Sequence, residues 1–183
     1  MNTFEILTPL QDNMLERLRA GDQVYITGII FTARDAAHQR FIESMSAGKK
    51  LPFDLHGQVI YYTGPAPAGP GRVIGSAGPT TSGRMDIYTP ELLAAGLKGM
   101  IGKGNRSEEV KEAMMRHRAV YFAALGGAAA LIARSIRKAE VIAYPELGAE
   151  AVHRLEVGKL PAIVVNDIYG GDLYQMGKAR YAL

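Results

Sequence analysis

The stretch Val24–Phe31, VYITGIIF, is a nearly continuous run of apolar and β-branched residues. Such a run is typical of a strand that is buried on both faces of a sheet. The residues TARDAAH follow at once, and in them Thr32 and Asp35 have the spacing of a capping box, with Asp in place of the usual Glu. The stretch therefore predicts a buried strand that leads directly into a helix, with Arg34 and His38 in the first helical turns.

Apolar runs and helical patterns alternate along the rest of the chain. Further strands are predicted at residues 4–7, 58–63, 72–76, 120–125, 138–144 and 160–165, with a short apolar segment at 100–101. Helices are predicted after Thr89 and after the capping residue Ser107, followed by an alanine-rich helix that ends at Ile136. Residues 145–157 are predicted to be a helix or irregular turn, and 166–171 a hairpin turn. This alternation predicts an α/β fold with a mixed sheet, in one domain of residues 1–183.

The composition of the 183 residues narrows the classes of function. Hydrophobic residues make up 48% and charged residues 21%, and no apolar run is long enough to cross a membrane. The chain has no cysteine, which excludes disulfides, thiolate metal sites and a cysteine nucleophile within it. The 21 basic and 18 acidic residues are scattered, so nucleic acid is not indicated as a partner. Because the N-terminus lacks the features of a signal peptide, we expect a cytoplasmic protein.

The segment Gly75–Asp86, GSAGPTTSGRMD, has the composition of an anion-binding loop. Its glycines let backbone N–H groups approach a ligand, while Thr80, Thr81 and Arg84 supply hydroxyl and guanidinium donors. A polar turn that caps the next helix is the alternative. The glycine spacing also resembles a P-loop, but Arg84 stands at the lysine position and Met85 at that of the magnesium ligand. Nucleotide binding is therefore not predicted.

Three cations, Arg34, Arg84 and Lys103, each follow a strand-like segment. Two guanidiniums can hold two carboxylates bidentately at a fixed separation, and this selects a small dicarboxylate. For Arg34 the alternative is a surface salt bridge to Asp35 or Glu43. The four histidines lack HxH and HExxH spacing, which argues against a metal site formed by this chain alone.

Four motifs resemble those of a known family and occur in the same order as in that family. They are TARDAAH (32–38), GPTTSGRMD (78–86), GKGNRS (102–107) and YPELGAEA (144–151). Together they resemble the β subunit of the two-subunit class I fumarate hydratases, the C-terminal domain of the single-chain forms, and the related β subunit of L-tartrate dehydratase. The tartrate enzymes are expected to differ around GKGNRS and GPTTSGR, which favours fumarate as the substrate.

The resemblance implies a swivelling β/β/α domain of three layers and a partner α subunit that ligates a 4Fe-4S cluster through cysteines. The absence of cysteine here agrees with that division. By resemblance, Arg34, Arg84 and Lys103 bind the substrate carboxylates together with Thr81, and Thr80 is the base that removes a proton during malate dehydration. An α2β2 assembly is expected, with no activity when the α subunit is absent.

The resemblance thus implies that this chain is the β subunit of an iron-sulfur-dependent hydro-lyase that interconverts fumarate and L-malate. His38, Asp86 and Asn105 are expected to support the site without binding substrate. A threonine hydroxyl is a very poor base near neutral pH, so Thr80 could serve only where cations and a dry site favour its alkoxide, and positioning of substrate is its alternative role. The alternative functions are the β subunit of an L-tartrate or other 2-hydroxy-diacid dehydratase, and a non-catalytic anion-binding module.

Overall fold

The computed structural model describes residues 1–124 and 129–181, which are organised around one seven-stranded sheet. The strands are β1 (Thr3–Leu7), β2 (Gln23–Thr32), β3 (Val59–Tyr61), β4 (Gly99–Gly102), β5 (Val120–Ala123), β6 (Ile136–Ala143) and β7 (Val152–Asn166). The helices are α1 (Asp12–Leu15), α2 (Asp35–Ser46), α3 (Thr89–Ala94), α4 (Glu108–His117), α5 (Ala129–Ser135) and α6 (Leu173–Tyr181). Two 3-10 turns span Ser82–Met85 and Pro145–Glu150.

Strand β2 closes the sheet into a ring. Strands β1 to β5 run parallel and neighbour one another in sequence order, and the long strand β7 pairs antiparallel with both β5 and β2. Five strands, β2, β3, β4, β5 and β7, therefore form a closed ring. Two further strands extend the sheet, with β1 paired to β2 and β6 paired to β7. The expected α/β fold with a mixed sheet is confirmed, and the helices lie outside the ring.

Successive residues of the ring strands face two different hydrophobic cores. Around β3, Val59 and Tyr61 belong to the inner core, which fills the ring, whereas Ile60 and Tyr62 belong to the outer core. The outer core lies between the sheet and the helices α2, α3 and α4, where Phe41 of α2 is fully buried. Burial on both faces explains why these strands are near-continuous apolar runs in the sequence.

The predicted start of helix α2 is wrong, because a long-range contact replaces the local cap. Thr32 is the last residue of β2, and its hydroxyl oxygen accepts a hydrogen bond of 3.0 Å from the distant His153 N–H. The same hydroxyl donates to the Ala151 carbonyl at 3.3 Å, so Thr32 caps no helix. The helix begins at Asp35 instead, with Arg34 at the N-cap position. The cap predicted at Ser107 is confirmed, since its hydroxyl oxygen accepts a hydrogen bond from the first turn of α4.

Other differences concern segments whose partners are distant in the sequence. Within the described residues, no strand forms at 72–76, and residues 152–157 begin strand β7 instead of continuing a helix or turn. The turn at 166–171 leads into helix α6 and not into a hairpin strand. The end of the predicted strand and the start of the alanine-rich helix fall on 125–128, outside the described residues. No described helix is long and apolar enough to cross a membrane.

Candidate active site

The candidate site lies at the edge of the sheet where the parallel strands β2, β3 and β4 end. Arg34 stands two residues beyond β2, and Lys103 directly follows β4. The glycine-rich loop crosses this edge: the Thr80 N–H donates to the Tyr62 carbonyl at 2.6 Å, and the Lys103 N–H donates to the Thr80 carbonyl at 3.2 Å. A bridge between Thr81 and Lys103 continues the pairing. Both threonines and the lysine therefore share one rim of the sheet.

In the glycine-rich loop, side chains are more available to a ligand than backbone N–H groups are. The N–H groups of Thr80 and Ser82 donate to the carbonyls of Tyr62 and Lys103, so these two amides are not available to a ligand. Thr81 and Lys103 are exposed, and Thr80 is half-buried. Only a four-residue 3-10 turn follows, in place of the long helix that begins after a P-loop.

Arg84 reaches from this 3-10 turn to the start of α2. Its Nε donates to Asp35 Oδ1 at 2.9 Å, and 52% of the side chain stays exposed. Because this bond uses Nε, both terminal nitrogens remain available for a bidentate contact with a carboxylate. Since Asp35 is the residue after Arg34, the contact also brings the two arginines of the predicted clamp to the same helix start.

Arg34 has partners other than those predicted. Its Nη2 lies 3.6 Å from Glu150 Oε1, and the alternative salt bridge to Asp35 or Glu43 does not form. Its Nη1 packs on Gly64, where an added Cβ would lie only 2.6 Å from that nitrogen. The Nε of Arg34 is buried and has no hydrogen-bond partner.

His38 lies fully buried one turn into α2. Its Nδ1 is 2.8 Å from the Arg34 carbonyl, so this nitrogen carries the proton and donates. The ring contacts Phe41, Tyr62 and Tyr88, with centroids 5.4 to 5.9 Å apart. Burial lowers the pKa of His38 to about 4, although the hydrogen bond to Arg34 opposes this shift. The neutral ring suits a supporting residue better than a proton carrier near neutral pH.

Among the described residues, three buried side-chain atoms lack a hydrogen-bond partner, and all belong to the first turns of α2. They are Arg34 Nε, Asp35 Oδ2 and His38 Nε2. Buried polar atoms are nearly always paired in a complete protein structure. These unpaired atoms therefore lie together at the helix start that Arg84 contacts.

In the sequence, Arg106 is distinguished only as part of the GKGNRS motif, where the tartrate enzymes are expected to differ, and no role in the site is predicted for it. Its side chain is fully buried, with Nε donating to Asp86 Oδ1 and Nη2 donating to Thr89 Oγ1, each at 2.7 Å. Nη1 lies 3.3 Å from the Tyr62 hydroxyl. The guanidinium also lies over the rings of Tyr62 and Tyr121. Arg106 thus joins the outer core to both loops of the site.

Two further contacts fasten these loops to each other. The second oxygen of Asp86 accepts the Ser107 N–H at the start of α4, at 2.7 Å. The Tyr121 hydroxyl donates to the Gly104 carbonyl at 2.9 Å and shares a hydrogen bond of 2.9 Å with Ser82. These contacts fix the 3-10 turn that carries Arg84 against the loop that carries Lys103. The supporting role predicted for Asp86 suits this geometry.

The cations Arg34, Arg84 and Lys103, together with Thr80 and Thr81, form an open rim at this edge of the sheet. Five clefts of about 320 to 490 Å³ lie elsewhere on the described surface, and none is lined by Arg34, Thr80, Arg84 or Lys103. Asn105 is also exposed, and its side chain makes no hydrogen bond to a described residue. Its predicted supporting role has no counterpart in contacts within this chain.

The residues present do not fit an iron-sulfur cluster. The sequence contains no cysteine to supply thiolates. In the part of the chain that the structure describes, no group of three or more His, Cys, Asp or Glu side chains is placed to hold a metal ion. A cluster in an assembly with this chain would need its ligands from another chain.

The fold and the rim define an α/β domain that offers hydroxyls and cations at the open end of its parallel strands. A family profile described as Fumarase C-terminus matches residues 2–177. The chain is 42% identical over 163 residues to the anaerobic class I fumarate hydratase of Escherichia coli, a match that covers 88% of this chain and 30% of that protein. It is 41% identical over 162 residues to fumarate hydratase 2 of Leishmania major, covering 87% and 28%.

A third relative matches over nearly its full length. The chain is 39% identical over 179 residues to a Methanocaldococcus jannaschii protein provisionally named L(+)-tartrate dehydratase subunit beta, covering 94% of this chain and 90% of the relative. The chain therefore belongs to the Fumarase C-terminus family, and the resemblance stated from its motifs is confirmed. It spans about 30% of the length of the fumarate hydratases that it matches.

Proposed function

We propose that this chain is the β subunit, or the equivalent domain, of a hydro-lyase that interconverts fumarate and L-malate by reversible hydration. The observation that carries the proposal is the rim itself: a chain of this family places Arg84 at the start of α2 and Lys103 beside Thr81 at one edge of the sheet. Fumarate and malate are dianions, and such a rim matches two carboxylates with several cations.

In this proposal the chain's own residues bind the substrate and move one proton. Arg34, Arg84 and Lys103 bind the carboxylates, with Thr81 as a further hydroxyl donor; the terminal nitrogens of Arg84 suit a bidentate contact. The same cations favour negative charge on the Thr80 hydroxyl oxygen. That oxygen removes the proton from the carbon next to one carboxylate of malate as water is lost, and returns it to the carbon during hydration.

We further propose that a partner α chain completes the site and ligates a 4Fe-4S cluster, in a cytoplasmic α2β2 assembly. Three observations support this: the chain has no cysteine, its candidate residues form an open rim, and one relative of matching length is named as a β subunit. The mass of the purified complex tests the stoichiometry.

The test of function is co-expression of this chain with its partner, anaerobic purification, and assays with fumarate, L-malate and L-tartrate. We expect loss of fumarate absorbance with the complex, and none with this chain alone. A complex that dehydrates tartrate and leaves fumarate unchanged would contradict the choice of substrate. A chain that binds dicarboxylates but recruits no partner would instead be a non-catalytic anion-binding module.

The β subunit of an L-tartrate dehydratase is the second candidate. The observation that favours it is the match over nearly the full length of both chains with the relative of that name. The identities to the fumarate and tartrate relatives, 42% and 39%, are too similar to choose between the substrates. Fumarate remains our first choice because of the GPTTSGR and GKGNRS motifs.

A further inference from the structure

Glu150 reaches the start of helix α2 from the YPELGAEA segment, which the proposed mechanism does not use. Its Oε2 accepts a hydrogen bond of 2.9 Å from the Ala36 N–H, although the two residues are 114 positions apart. That amide is one of those that a helix leaves unpaired in its first turn. The other oxygen, Oε1, lies 3.6 Å from Arg34 Nη2. One carboxylate thus caps the helix and faces Arg34.

The head group of Arg34 is enclosed on two sides. An added Cβ at Gly64 would lie 2.6 Å from Arg34 Nη1 and 2.9 Å from the Ala149 carbonyl, so the three groups meet in a very small space. Only 22% of the Arg34 side chain is exposed. The guanidinium therefore cannot change direction unless the segment that carries Glu150 moves as well.

The backbone of this segment is bent so that it returns to α2. Tyr144 and Gly148 both have positive φ, at 55° and 58°, and glycine is the residue that adopts this conformation most readily. A second ion pair, between Glu146 and Arg40 at 3.2 Å, fastens the same segment further along the helix. Tyr144 of the same segment also contacts α2, with its ring 5.4 Å from the Arg40 guanidinium and 6.2 Å from the Phe41 ring. Of these contacts, only that of Glu150 adjoins the candidate site.

We infer that Glu150 is a positioning residue that orients Arg34 toward the substrate carboxylate. The inference rests on the proposed function, because it gives Arg34 a ligand to meet. At 3.6 Å the charged oxygen attracts the guanidinium without forming a full hydrogen bond, so the donors of Arg34 stay free. The unpartnered Nε of Arg34 is one of these free donors. Helix capping holds the Glu150 carboxylate itself in place.

Kinetics of the assembled enzyme test this inference. In Glu150→Ala we expect KM for malate and fumarate to rise about tenfold, the equivalent of one weakened carboxylate contact, while kcat changes less. Glu150→Gln keeps an oxygen for the Ala36 N–H but loses the charge, and should raise KM by a smaller factor. Glu146→Ala removes the second ion pair and is the matched control, with KM within about twofold of wild type.

Three kinetic outcomes would overturn it. An unchanged KM with fewer active sites in Glu150→Ala means that the residue only stabilises the fold. A lower KM means that its carboxylate competes with substrate for Arg34. An equal rise in Glu146→Ala means that any loosening of the segment has the same effect.

Side-chain NMR of the full chain separates this inference from the proposed function. The Nε–Hε signal of Arg34, assigned by its loss in Arg34→Lys, should show a clear fall in order parameter in Glu150→Ala and none in Glu146→Ala. If the wild-type complex acts on none of the three diacids, the proposed function is wrong, and this signal still decides whether Glu150 orients Arg34. An unchanged order parameter in Glu150→Ala would refute the positioning role.

Discussion

Two mostly buried arginines differ in how completely the described chain pairs their nitrogens. Arg106 is fully buried, and every nitrogen of its guanidinium has a partner within the chain. Arg34 is also mostly buried, but its Nε has no partner, and the same is true of Asp35 Oδ2 and His38 Nε2 beside it. The fully paired guanidinium of Arg106 holds the loops together, whereas the unpaired atoms around Arg34 adjoin the candidate site.

The two regions are also coupled. The ring of Tyr62 lies 5.4 Å from the His38 ring and 5.4 Å from the Arg106 guanidinium. The positive charge of Arg106 contributes to the lowered pKa of His38, after the larger effect of burial. A substitution of Arg106 should therefore also affect the residues at the start of α2. Four measurements test this contrast and the candidate site beside it.

Arg106→Met should lower the free energy of unfolding by about 3–5 kcal/mol, because it leaves the Asp86 carboxylate partly buried without its counter-ion. Denaturant unfolding of the full chain measures the change. The control is Arg40→Met, which removes an arginine whose ion pair is exposed and should cost less than about 1 kcal/mol. Equal effects of the two substitutions would mean that Arg106 is not the structural centre of the site.

Thr80→Ala should reduce kcat of the assembled enzyme by about 10³-fold, or about 4 kcal/mol, with a smaller effect on KM, as expected for the loss of a general base. Thr80→Ser keeps a hydroxyl and should retain much of the activity. Steady-state kinetics in both directions measure these values. A loss of only a few fold in Thr80→Ala would leave Thr80 with a positioning role.

The free energy of unfolding should decrease as the pH is lowered through the titration range of His38. The folded chain keeps this residue neutral down to about pH 4, whereas the unfolded chain binds a proton below about 6.5. Unfolding is thus favoured as pH drops through this window, by up to about 3 kcal/mol, and the contribution is fully lost below pH 4. Unfolding measurements at several pH values should give a steeper slope for wild type than for His38→Phe. Parallel slopes would show that His38 titrates normally.

Arg84→Lys should lower kcat/KM by about 10- to 100-fold, since lysine keeps the charge but cannot form the two-nitrogen contact with a carboxylate. The exposure of Arg84 predicts little change in stability, in contrast to Arg106→Met. Arg116→Lys on α4 is the control and should leave kinetics unchanged. If kcat and KM both survive in Arg84→Lys, the dicarboxylate clamp is wrong.

Much of this protein could be predicted from local sequence patterns. The apolar runs identify most of the strands because both faces of the ring strands are buried, and the residues that follow those strands include Arg34 and Lys103. The cap at Ser107 also depends on neighbours only. The capping box at Thr32 failed because its hydroxyl oxygen accepts a hydrogen bond from the N–H of the distant residue His153.

The contrast between the two arginines could not be predicted. In the sequence Arg34 and Arg106 are cations of similar surroundings, each next to a helix start. The burial of Arg106 depends on the packing of Tyr62 against α3 and α4. The surroundings of the Arg34 guanidinium depend on its ion pair with Glu150, which follows strand β6. Both depend on contacts between elements that are separate in the sequence.

Local patterns and composition were enough to indicate the family, the alternation of strands and helices, the absence of cysteine and the positions of the cations relative to strand ends. These are local or compositional properties, which a chain carries before it folds. Which cation is fully paired and which is not depends on the folded chain, because β2 must pair with β7 to bring Glu150 to Arg34, and β3 must pair with β4 to bring Tyr62 to Arg106. Desolvation and hydrogen-bond partners exist only after those distant segments come together.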